Sequence, residues 1–131
     1  MKKHHNAFTL IELMMAILII GILAAATAPL MRGQVDRSKW TEANLAAGTI
    51  RTAVKTYFME TGNTVTGALT DTAVQQALNI GAGDFNGSYF VSGDYRIDSV
   101  TADGVAIVTV TGSQANAPSG SKTLSLNGTF E

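Results

Sequence analysis

The sequence predicts an α+β fold: a long N-terminal α-helix with a hydrophobic first half, packed by its C-terminal half against a small antiparallel β-sheet of three or four strands. Three observations carry this. Residues 8–28 hold one charge, Glu12, in an otherwise apolar run. Ala43, Ala47, Ile50 and Val54, followed by Tyr57 or Phe58, recur at helical steps. Beyond residue 88 the pattern changes to period two, with turn residues between the runs.

As a helix, Phe8 to Ala28 would be roughly 31 Å long at about 1.5 Å per residue, the hydrocarbon thickness of a bilayer. Lys2 and Lys3 stand just before it, which by the positive-inside tendency puts the N-terminus in the cytoplasm and the rest outside. The run is longer than a signal-peptide h-region of about 7–15 residues and enters a helical pattern without a break. Glu12 is the anomaly, because a carboxylate inside a membrane segment costs on the order of 2.5–3.5 kcal/mol. It is inexpensive at the interface, where a helix N-terminus favours an anion. It is functional if a cation meets it, and cleavage between Ala7 and Phe8 would supply one. The new α-amine, four residues from Glu12, could pair with that carboxylate on a neighbouring chain.

The helical pattern continues over residues 30–61, giving a helix of about fifty residues against an average near twelve, a length that calls for partners. Pro29 lacks an amide hydrogen and crowds the preceding turn, so a kink or local melting is expected there. Gly21 and Gly33 weaken the helix locally. Asp36 and Lys39, three apart, are placed to pair on one face. Arg51, Lys55 and Glu60 fall off the apolar stripe. Trp40, the single tryptophan, suits either the membrane edge or a contact between subunits.

Gly62 and Asn63 stop the helix, and residues 62–131 form the head. A short second helix is expected in TDTAVQQALNIG, capped by Thr70 and ended by Gly81, with Val74, Leu78 and Ile80 inward. DYRIDSV sets Tyr95 and Ile97 against Asp94, Arg96 and Asp98, a half-buried strand. VAIVTVT reads as a central strand buried on both faces, and Asp103-Gly104 is a hairpin turn between the two. KTLSLNG offers Leu124 and Leu126 on one face, after a loop around Pro118. Tyr89–Val91 is the candidate fourth strand.

Composition narrows the function classes. The formal net charge is −1, and without residues 1–7 seven Lys plus Arg face ten Asp plus Glu, a formal −3; nothing here suggests a nucleic-acid binder. There is no cysteine, and His4 and His5 are the only histidines. A chain cut before Phe8 would lack the usual general base, the usual transition-metal ligands and every imidazole-dependent triad. No catalytic residues, cofactor or metal are expected. Asp84, Asp94, Asp98 and Asp103 have no calcium-loop spacing and read as turn and surface residues. The Asn86-Gly87 and Asn127-Gly128 pairs fit a glycosylation pattern but equally signal turns.

The stretch AFTLIELMMAILIIGILAAATAP resembles the N-terminus of type IV prepilins and of the related pseudopilins of type II secretion. The shared pattern is a short basic leader, a small residue, Phe-Thr-Leu-Ile-Glu and a hydrophobic run. The resemblance implies a pilin-like fold and a leader over residues 1–7. It implies cleavage between Ala7 and Phe8 by a prepilin peptidase, with N-methylation of Phe8. Glu12 matches the family's essential glutamate, and Pro29 matches the proline that interrupts the hydrophobic helix. Ala7 stands where the family normally has Gly, and the absence of cysteine departs from pilins that close a C-terminal loop with a disulfide.

The function so implied is that of a structural subunit of a type IV pilus-like filament. Its partners would be copies of itself, prepilin peptidase, an inner-membrane assembly platform and, before assembly, membrane lipid. It would reside as a single-pass protein of the bacterial inner membrane, then in an extracellular or periplasmic filament. The alternative is a type II secretion pseudopilin in a periplasmic pseudopilus.

Overall fold

A computed structural model of the chain describes Met1 and residues 7–131. The leader expectation falls largely on residues 2–6, Lys2 and Lys3 among them, which lie outside the described residues. Two units are distinguished, Met1–Val35 and Asp36–Glu131.

Helix α1 runs Leu10–Thr61, 52 residues. In the first unit its side chains are exposed throughout, and by length and composition it can cross a membrane. The backbone is helical on both sides of Pro29. At the C-terminal end Gly62 adopts φ 70° and donates its N–H to the Phe58 carbonyl at 2.8 Å, a left-handed stop that glycine makes without steric cost.

In the second unit a four-stranded antiparallel sheet has the order β1-β2-β3-β4: Gly67–Ala68, Tyr95–Val100, Ala106–Thr111 and Ser121–Leu124. The stripe read from the sequence is the helix's contribution to the core. Ala43, Ala47, Ile50 and Val54 are buried with Phe90, Tyr95, Ile97, Val108 and Val110 from the sheet side. Alanines at two of the four buried helix positions let the strands approach closely, and the β-branched residues fill the remaining volume.

Several expectations are corrected. The fourth strand is Gly67–Ala68, paired with Ile97 and Arg96, and Tyr89–Val91 is irregular. The reason lies at Glu42, whose carboxylate takes the backbone N–H groups of Tyr89 and Phe90 that a strand would need. β3 alternates, with Ala106, Val108 and Val110 buried and Ile107 and Thr109 half-exposed; the sheet is covered on one face. Leu126 lies outside β4 and is 51% exposed, because Ser125–Thr129 folds into a turn closed by the Ser125 N–H to Thr129 carbonyl bond.

Helix α2 spans Thr72–Leu78, with Val74 and Leu78 buried as expected. Its N-cap is Asp71 in place of Thr70, and left-handed Asn79 ends it ahead of Gly81. Asp71 turns its carboxylate back to the Ala68 N–H, tying β1 to the helix start. Asp94, expected on the open side, is buried. It ends a short 3₁₀ turn, Ser92–Asp94, where its carboxylate accepts from Val91 N–H and from the Ser113 hydroxyl. The Asp103-Gly104 turn joins β2 to β3 as expected, with Gly104 at φ 76°.

Candidate functional site

Ala7 and Phe8 precede α1 in irregular backbone, both exposed. Thr9 is the residue before the first helical position, and Glu12 is the third residue of the first turn. The Thr9 N–H donates to Glu12 Oε2 at 2.8 Å, the Thr9 hydroxyl donates to the same oxygen at 3.0 Å, and the Glu12 N–H donates back to Thr9 Oγ1 at 3.3 Å. This is a reciprocal capping box, which satisfies helix-end donors that would otherwise be unpaired. The spacing Thr9-x-x-Glu12 ahead of an apolar run was the sequence signal for it.

The box explains how an acid sits at the head of a membrane-length helix. One carboxylate oxygen is held by Thr9, the helix dipole favours the anion, and Glu12 Oε1 carries no hydrogen bond among the described residues. Past Glu12 the helix is apolar, and Ile11, Met14, Met15, Leu18, Ile22 and Ala25 line an open groove along one side. Pro29 follows this stretch, inside α1.

In the head, two charged residues hold the fold together in ways that the sequence did not disclose. Glu42 accepts the N–H groups of Ser88, Tyr89 and Phe90 at 3.0–3.2 Å. Arg51 donates through Nε to the Ala106 carbonyl at 2.9 Å, and through Nη2 to the Leu124 and Ser125 carbonyls at 2.8 and 2.6 Å. Its guanidinium thus bridges β3 and β4, and desolvation lowers its pKa from the ordinary value. Lys39 does not pair with Asp36; its ammonium reaches the Asn116 carbonyl at 2.7 Å and lies over the Tyr89 ring. Trp40 packs inside its own head, 5.2 Å from Phe90 and 6.0 Å from Phe130 between ring centres.

The four aspartates have separate local tasks. Asp84 accepts from the Gly81 N–H, Asp94 caps its turn, and Asp98 meets the Thr109 hydroxyl and Arg96. Asp103 sits in the β2–β3 turn, with its main-chain carbonyl taken by Lys55. Asn86 and Asn127 both use their side-chain oxygens in turns, accepting from Ser92 N–H and Thr129 N–H.

A capped helix of membrane length and a helix-on-sheet head define the chain as an α+β protein with one long, apolar N-terminal helix. Comparison with known proteins makes the class specific. Residues 2–28 match the family described as the prokaryotic N-terminal methylation motif. Over 98% of its length the chain is 35% identical to the fimbrial protein EcpC of Eikenella corrodens, covering 78% of that protein. Over 96% it is 32% identical to the type IV major pilin protein PilE of Neisseria gonorrhoeae, covering 68% of it. Residues amounting to 46% of the chain are 40% identical to the type IV major fimbrial protein FimA of Dichelobacter nodosus, but span only 38% of that protein. The chain belongs to the type IV pilin family. It is a structural pilus subunit, and the secretion pseudopilin alternative is not favoured.

Proposed function

We propose that the chain is cut between Ala7 and Phe8 by a prepilin peptidase and methylated at the Phe8 amine. Glu12 then draws an incoming copy into register by pairing with that amine on its neighbour. The observation that carries this is Glu12 Oε1, which has no hydrogen bond among the described residues: the capping box holds the carboxylate at the helix start through one oxygen and leaves the other for a cation. Before assembly the apolar half of α1 crosses the inner membrane once, N-terminus inside, with the head outside. After assembly the same apolar surface is covered by other copies in a filament. Pro29 lets the helix bend or loosen as a subunit leaves the bilayer, since it cannot donate to the carbonyl one turn back. The role is mechanical and not catalytic.

Glu12→Ala tests the pairing in a host that supplies the peptidase and the assembly apparatus. The variant is expected to insert and be cut normally, read by intact mass of a chain beginning at methylated Phe8. Its yield of sheared filaments should fall by about tenfold or more, the loss of a charge pair in an apolar setting. Normal filament yield from Glu12→Ala would overturn the reading.

A further inference from the structure

The unit Asp36–Glu131 carries a notch of about 220 Å³ lined by Arg37, Trp40, Thr41, Asn44, Lys122 and Phe130. The Lys122 ammonium stands 5.9 Å from the Trp40 ring centre and 5.8 Å from that of Phe130. Arg37 is exposed and makes no ion pair or side-chain hydrogen bond among the described residues. Two cations therefore flank an aromatic floor without an acid between them. Glu131, beside Lys122 through its backbone pairing to Thr123, has its carboxylate near the Thr129 hydroxyl, at 3.5 Å.

The rest of the head offers few free acids to match. Glu42, Asp71, Asp84, Asp94 and Asp98 are committed within the fold. Asp36 adjoins the notch in sequence, and Asp103, whose exposed carboxylate has no partner among the described residues, carries the Lys55 ammonium on its main-chain carbonyl. Glu60 is the one on the helix that lies away from both the notch and the Lys55 ammonium: exposed, without a side-chain partner among the described residues, at the far end of α1. It edges a groove whose walls are Thr56, Tyr57, Leu78 and Asn79. Arg37 and Glu60 are separated by roughly 35 Å along the helix at about 1.5 Å per residue, so one chain cannot bring them together. A screw-related assembly, however, sets one end of each head against the opposite end of another.

We propose that the notch formed by Arg37, Trp40 and Lys122 receives the Glu60 carboxylate of a second copy, fixing the spacing between heads. This rests on the filament reading above, and adds to the Glu12 contact a second, solvent-side one whose charges select the correct neighbour.

The test is charge exchange in the full chain, in the same host. Arg37→Glu and Glu60→Arg are each expected to lower sheared-filament yield about tenfold, because like charges then face each other. The double variant is expected to return to within about threefold of the parent, the signature of coupled residues. Neither side chain bonds within the head among the described residues, so an unchanged urea midpoint checks that folding is intact.

Parent-level yield from either single reversal, or a double variant no better than the singles, overturns the proposal. Loss in Arg37→Glu without rescue, accompanied by weaker retention on phosphatidylglycerol vesicles, would assign the notch to anionic lipid and overturn it as well. Glu12→Ala run in parallel separates the two readings. Loss there with normal yield from the reversals removes the notch and leaves Glu12 standing. The opposite pattern supports the notch and removes the Glu12 pairing, and no filaments from the parent removes both.

Discussion

Glu42 shows how much a single side chain can organise. Its carboxylate collects three consecutive amide protons from residues 88–90, and a Cβ at Gly87 would press on its Cδ, at 2.7 Å. Glycine at 87 is what lets the loop come this near the helix. Glu42→Ala strands those amides, two of them part-buried, so the head should lose about 1–3 kcal/mol of stability. Urea unfolding of the full chain in detergent, followed by Trp40 emission, reads this directly. Neither Glu42 nor Arg51 was legible as a structural residue. A charge off the apolar stripe looks like a solvated side chain unless the distant carbonyls and amides that it meets are known. The Thr9–Glu12 box is different: both partners lie within one turn and Thr-x-x-Glu spells it, yet the sequence reading placed Glu12 only by the helix dipole and a neighbour's amine.

Among the elements, the long helix, α2 and the β2–β3 hairpin were legible from local chemistry: apolar steps of three and four, a short helical run whose cap was placed one residue early, and Asp-Gly between alternating segments. Strand β1 was not. Two residues carry no period, and Gly67–Ala68 extends only because β2 offers an edge for pairing. The boundary of β4 was likewise misread, since Leu126 fits the alternation but the Ser125–Thr129 turn takes the chain out of the sheet. The hairpin offers a sharp test of helix-on-sheet packing. Gly104, at φ 76°, lies so close to α1 that a Cβ there would fall 2.7 Å from Phe58 Cγ. Gly104→Ala combines left-handed strain with overpacking and should cost about 2–4 kcal/mol, measured as a lower urea midpoint. Unchanged stability would mean that the turn and Phe58 move apart freely.

For the whole molecule, stability should depend on pH at the alkaline end. Burial is the main reason that the Tyr95 phenol is pushed well above its ordinary value, with the Glu42 and Asp94 carboxylates adding to it. In the unfolded chain the phenol ionises at about pH 10; in the fold it holds its proton. The neutral phenol therefore contributes its full stability below about pH 10 and loses it progressively above, as only the unfolded chain releases a proton. Thermal melts between about pH 9 and 11 should show this decline, and Tyr95→Phe should flatten it, the ring being kept while the titrating group is removed. An equal decline in both proteins would place its origin elsewhere.

The Arg51 clasp also bears on how the head is made. Its carbonyl partners at Ala106 and Leu124 lie 55 and 73 positions later in the chain, so they leave the ribosome long after the helix that carries it. Until the last strand arrives, the guanidinium has only the Ala106 carbonyl of β3, and Nη2, which meets the Leu124 and Ser125 carbonyls in the finished head, keeps water in their place. The last strand thus completes the set of carbonyls around Arg51, and the clasp that ties β3 to β4 closes only when the C-terminal residues are in place.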